Sequence, residues 1–276
     1  MRTLKSILLH LDNSEHTQRR AQVASDVADA FDAHVTAQYC VTSGMQLYPM
    51  AVTSGAVAAA MLEDIDDERR RNAQAAFAVA ASARPRLKWS DEKGVAPWNL
   101  WQRALYCDLM ILEQYDASDP SAVDISSGFI PALIVDSGVP ALIIPYTGII
   151  GPIGRTVLVA WKETREAARA VAATVPWLAG ADAVHLVCYS EESGTLLQAL
   201  AARLNARGIT AKLHRGGPEG GEGGDAGENL LSLAMDVGAD LLAMGCYGHG
   251  RAREWILGGV TRTILQSMTL PVLMVH

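Results

Sequence analysis

The sequence predicts an α/β protein built as two tandem open parallel five-stranded sheets with helices on both faces. Three observations predict it. Half of the 276 residues are hydrophobic but only 6% are aromatic, so Ala, Val and Leu must fill the core, as they do where helices pack on a parallel sheet. Short apolar runs alternate with stretches of helical period, the pattern of βα units. The whole pattern then occurs a second time.

The first copy opens with Ile7-Leu-Leu-His-Leu-Asp12 and the second with Val157-Leu-Val-Ala-Trp-Lys162, each an apolar run of buried-strand length. A helix follows each. Ala24, Val27, Ala28 and Phe31 mark the apolar face of one, and Ala168, Val171, Ala172 and Val175 that of the other. Asp12-Asn-Ser14 reads as the N-cap of the first of these helices. Further on, residues 108–115 align with 240–247, and 137–144 with 267–274. The glycines of residues 146–154, with Pro152, punctuate the chain as a linker. This places one domain over 1–147 and another over 154–276.

Two connections differ between the copies. Residues 42–55 are rich in Ser, Thr and Gly and lead into a helix carrying Glu63 to Arg71. The acids and arginines there stand at salt-bridging offsets and read as a solvated face. In the second copy, residues 216–227 form a Gly-rich loop whose Glu219, Glu222 and Asp225 would repel an anion, so it reads as flexible surface. Leu230, Leu233, Ala234 and Val237 then mark a helix closed by Gly238. Trp98 and Trp101, three apart on a helix, read as core or interface.

Charge and composition exclude several roles. The chain carries 23 Lys and Arg against 30 Asp and Glu, a net charge of −7, so no nucleic-acid partner is expected. Cys40, Cys107, Cys188 and Cys246 form no CxxC pair, which suits a reducing compartment with neither disulfides nor zinc. The apolar run at the N-terminus is too short for a signal sequence. No stretch reaches the ~20 apolar residues that cross a bilayer. A cytoplasmic protein without a membrane partner is expected. The chain has no Gly-x-Ser-x-Gly elbow, no Walker A lysine and no His-Glu-x-x-His, and its seven histidines show no metal-ligand spacing. No catalytic residue and no metal ligand is assigned, and an enzyme is the least favoured reading.

One segment carries chemistry. After the strand 240–244 the chain reads Gly245-Cys-Tyr-Gly-His-Gly-Arg-Ala-Arg-Glu-Trp-Ile-Leu-Gly-Gly-Val-Thr261. Gly245 and Gly248 permit a sharp turn and a close backbone approach to phosphate. Gly258 and Gly259 open a helix with Val260, Ile264 and Met268 on one face. Its N-terminus offers unpaired N–H donors and a positive dipole end. Thr261 adds a hydroxyl, while His249, Arg251 and Arg253 make the loop cationic. Cys246, inside this loop, could have a lowered thiol pKa from His249 and Arg251.

The segment resembles the Gly-x-x-Gly-(nine)-Gly-Ser/Thr signature of the universal stress protein family, and the resemblance spans residues 155–276 and, more loosely, 1–145. It implies a Rossmann-like, adenine nucleotide alpha hydrolase-like fold and a stress-response or signalling role. It further implies ATP, with Mg2+, held by Met244, Gly245, Gly248, His249, Arg251, Gly258, Gly259, Val260 and Thr261, with Ala160, Trp161 and Lys162 near the base. Three positions depart from the pattern. Gly259 stands where the family has Ser or Thr, His249 where it has a basic residue, and Lys162 where it has an acid. In the first copy the corresponding glycines are gone, and Asp116, Asp119 and Asp124 replace the basic residues. That copy is expected to be a structural partner that takes no nucleotide. The family's last strands commonly pair between domains, which implies an intramolecular pseudo-dimer through 141–144 and 272–275 and leaves a homodimer open. The alternative readings are a nucleotide-free interaction scaffold and a slow ATP hydrolase.

Overall fold

The computed structural model describes residues 4–276 except 54, 93–97, 120–123, 149–150, 191, 217–224 and 248–258. The chain divides into two compact units, Leu4–Val139 and Pro140–His276.

The first unit holds β1 (Ser6–Leu11), β2 (His34–Tyr39), β3 (Leu87–Trp89) and β4 (Leu109–Glu113). Their order is β3-β2-β1-β4, and every neighbouring pair is parallel. The central strand β1 is paired on both edges and covered on both faces, so Ile7, Leu8 and Leu9 are all buried. This explains an unbroken apolar run where a one-sided strand would alternate. The helices are α1 (Thr17–Phe31), α2 (Gly44–Leu47), α3 (Pro49–Thr53), α4 (Ala56–Ala81), α5 (Trp98–Ala104) and α6 (Phe129–Ser137). α1 packs on α4 and α5 on α6. Trp98 and Trp101 meet edge to face at 4.9 Å, but Trp98 is exposed and does not belong to the core.

The second unit holds β5 (Ala141–Ile144), β6 (Thr156–Ala160), β7 (Ala183–Tyr189), β8 (Lys212–Gly216), β9 (Leu241–Gly245) and β10 (Val272–Val275). Their order is β5-β10-β9-β6-β7-β8. All neighbours are parallel except β5, which runs antiparallel to β10 with Leu142 opposite Leu273. The units therefore divide ahead of the glycine linker. The strand that closes the first sequence repeat lies in the second unit. Its helices are α7 (Arg165–Leu178), α8 (Ser193–Asn205), α9 (Ala226–Asp236) and α10 (Gly259–Ser267).

The two repeats share a device at the amino ends of their strands. In the second unit, Asp240 accepts hydrogen bonds from the backbone N–H groups of Gly154, Arg155 and Thr156 at 2.7, 3.1 and 3.1 Å. In the first, Asp108 accepts from the N–H groups of Lys5 and Ser6, each at 2.9 Å. A carboxylate accepting several backbone N–H bonds holds the strand entry in place.

Two helix readings change. The buried face of α7 is Ala167, Ala170, Val171, Thr174, Trp177 and Leu178, and Ala172 is exposed. Alanines on several sides leave the phase open, and the large Trp177 and Leu178 set it. The N-cap of α1 is His16, not a residue of 12–14. Gly238 does close α9: its φ is +65°, with Gly238 N–H to Met235 O at 3.0 Å and Ala239 N–H to Ala234 O at 2.8 Å. This is the paired bonding of a left-handed helix end.

Candidate functional site

β6 and β9 are parallel neighbours with Ala160 opposite Met244, so their carboxyl ends emerge side by side. A parallel crossover must return the chain to the start of the next strand. α7 and α10 therefore both begin at this same edge. The topology brings together Ala160 and Trp161 after β6, Met244 and Gly245 at the end of β9, and Gly259, Val260 and Thr261 in the first turn of α10. Lys162 follows, exposed. Gly248, His249, Arg251 and Gly258 lie outside the described residues, as do Arg253 and Glu254.

The two described glycines of the motif serve different ends. A Cβ on Gly245 would lie 2.4 Å from the Ala167 nitrogen and 2.6 Å from the Glu166 carbonyl carbon. Gly245 is glycine because the first turn of α7 presses its backbone against β9. The sequence reading, a glycine bared for phosphate, misses this. A Cβ on Gly259, by contrast, would meet no atom of the described residues within 4 Å. There the missing side chain leaves the start of α10 open.

α7 is capped by Thr164, whose hydroxyl accepts from Ala167 N–H at 3.2 Å. Glu166 in that turn is buried and bonds to Arg165. Burial works against its ionisation, but Arg165, its own backbone N–H and Thr164 outweigh it and hold the carboxyl below its ordinary range. Sequence reasoning missed Glu166, although an acid in the first turn of a Thr-capped helix was a signal for it.

Cys246 is not the reactive thiol the sequence suggested. It is buried, its N–H bonds to Val275 O at 2.9 Å, and its carbonyl meets His276 Nδ1 at 3.2 Å. Burial, with Glu166's charge, pushes the thiol up from its ordinary value. Tyr247 stands at φ +58°, a left-handed conformation costing a non-glycine residue about 1 kcal/mol. Asp225 is also no repelling loop acid. It caps α9, accepting from Gly227 N–H at 2.8 Å, and accepts from the Thr263 hydroxyl on α10.

The same edge of the first unit is filled by charge. Arg20, fully buried, bonds bidentately to Asp12 after β1 and lies 3.3 Å from the carboxylate of Glu113 at the end of β4. It also donates to the Ser14 hydroxyl at 2.8 Å. Asp12 thus serves an ion pair and not a helix cap. Burial opposes its ionisation, yet Arg20 and His10 hold it well below the usual carboxylate range. Two arginines of α4 reach beyond their own helix. Arg69 reaches Asp124 at 3.8 Å, while Arg70 donates to the Asp91 carbonyl and covers Trp89.

Asp124 is buried, and its backbone carbonyl accepts from Thr42 N–H at 2.9 Å. Burial, reinforced by the charge of Asp12, pushes its carboxyl up to about 6. Burial, aided by Arg20 and against Asp12, pushes His10 down to about 4. The signs oppose each other. A raised carboxyl favours the fold below pH ~4 and loses that contribution as pH rises through about 6. A depressed histidine favours the fold above pH ~6.5 and loses it as pH falls towards about 4. Asp124→Asn should therefore stabilise the first unit by about 2 kcal/mol at pH 7.5 and by almost nothing at pH 4. Urea unfolding at the two pH values checks it, and an equal effect at both would contradict it.

Residues 154–276 match the Universal stress protein family. Among curated proteins none matches the chain. A universal stress protein from Archaeoglobus fulgidus DSM 4304 is similar over 98% of this chain and 95% of its own, at 18% identity and a TM-score of 0.66. A functionally unknown protein from Pseudomonas aeruginosa PAO1 is similar over 99% of this chain and 92% of its own, at 14% identity and a TM-score of 0.59. These likenesses give the fold along the whole chain, an α/β architecture with a mostly parallel open sheet. The family match thus falls on the second unit, where residues 154–276 form a universal stress protein domain.

Proposed function

We propose that the second unit binds an adenine nucleotide, ATP with its Mg2+, at the carboxyl ends of β6 and β9. The protein then serves as a stress-response signalling protein through the occupancy of this site, not as a dedicated enzyme. The observation that carries the reading is the opening of α10. Gly259 is exposed, and a side chain there would meet no atom of the described residues within 4 Å. Solvent, or a phosphate, can reach the unpaired N–H groups and the positive end of the dipole. Thr261 lies two residues on, buried in the same turn. Ala160 and Trp161, half-buried at the neighbouring strand end, offer apolar surface for a base. Mg2+ would arrive on the phosphates of the nucleotide. In the first unit the corresponding edge holds Arg20 between Asp12 and Glu113, so one nucleotide per chain is expected.

The test exploits the open space at Gly259. Gly259→Asp introduces no clash, and an acid at a helix N-terminus stabilises the helix, so the fold should persist. The same carboxylate should repel phosphate and weaken ATP binding about tenfold or more. Calorimetric titration with Mg2+ and ATP should give one site per chain, abolished or weakened in the variant. Unchanged affinity in Gly259→Asp, or nucleotide bound in the first unit, would overturn the reading.

A further inference from the structure

α4 has two apolar faces. One, carrying Ala73, Phe77 and Ala80, is buried. The other is bare: Val57 is 77% exposed, Met61 62% and Ile65 43%. At steps of four residues they drift only about 40° each around the helix and form one strip over about two turns. α3, which packs against α4, adds Met50 at 77% exposure. Isolated exposed apolar residues are ordinary, but a helical row of them marks a binding face.

The residues of the strip's own turns carry acids and no base, and of the arginines that follow, Arg69 reaches Asp124 and Arg70 the Asp91 carbonyl. No Lys or Arg occurs between Arg20 and Arg69. Glu63, Asp64 and Glu68 are exposed, and Asp64 and Glu68 fall on the strip's own side of the helix. We propose that this strip is a docking surface for a basic amphipathic helix of a partner protein. The partner's apolar face would cover Val57, Met61 and Ile65, and its Lys and Arg would meet the acidic rim. The flexible thioether of Met61 suits such a surface. A second copy of this chain packed on the strip would bring two sets of Asp64 and Glu68 to one interface. An anionic membrane surface would be repelled by the same rim.

The test uses the full chain and a fluorescently labelled Leu/Lys peptide with Leu at helical spacing, beside a scrambled peptide of the same composition. The amphipathic peptide should bind saturably, the scrambled one about tenfold more weakly, and added salt should weaken both. Met61→Glu and Val57→Glu should each weaken binding about tenfold with the circular dichroism unchanged. Met235→Glu, at a methionine on α9 that is 78% exposed, should leave it as in the parent. The proposal fails if Met61→Glu binds like the parent or if Met235→Glu weakens binding equally. It fails too if Met61 instead drives self-association in sedimentation, or cosedimentation with phosphatidylserine vesicles.

Discussion

Gly245→Ala should destabilise the second unit by about 3 kcal/mol or more, because overpacking against atoms that cannot move aside is costly. The atoms in the way are backbone: Ala167 nitrogen at 2.4 Å, Glu166 carbonyl carbon at 2.6 Å and Ala167 Cα at 2.9 Å. A side chain could rotate away, but the first turn of α7 can retreat only by lifting off β9. Gly259→Ala is the matched control, since among the described residues its Cβ meets nothing within 4 Å. There a helical alanine should stabilise by about 0.5–1 kcal/mol. Thermal unfolding of the two variants should move in opposite directions. If Gly245→Ala melts like the parent, α7 does not press on β9 as described.

Arg20→Met should cost the first unit about 3–5 kcal/mol, the usual penalty for removing one partner of a buried ion cluster. The volume is nearly kept, so the loss is electrostatic: Asp12 and Glu113 would remain as buried carboxylates without their cation. Burial already pushes Glu113 up with Arg20 in place. Adding Asp12→Asn and Glu113→Gln should recover most of the stability, because a neutral set no longer needs the guanidinium. Urea unfolding followed by tryptophan fluorescence checks both steps. A single variant within about 1 kcal/mol of the parent would mean that Arg20 only fills space.

The strands were legible because buried parallel strands read as continuous apolar runs, and both copies carry them at matching places. The end of β9 was legible from its glycine motif, whereas Ala160, Trp161 and Lys162 were placed beside it only by the family resemblance. Less legible was anything set by close approach. Gly245 reads identically whether it bares an amide for a ligand or makes room for a helix, and only the position of α7 decides. Arg20 was invisible because it sits one helical turn inside α1, where an arginine ordinarily faces solvent. Its partners Asp12 and Glu113 lie far off in sequence. The Ala-rich face of α7 could not be phased by hydropathy, since alanine is tolerated on either side.

The twin aspartates at the strand entries bear on why the halves differ. Asp108 and Asp240 hold equivalent backbone in both copies, while at the opposite rim one copy has a salt-bridged plug and the other an exposed glycine, Gly259, at its helix start. The frame is fastened at one rim, so the other rim is free to vary. A duplicated scaffold of this kind can change the residues at one rim of a half without losing its shape.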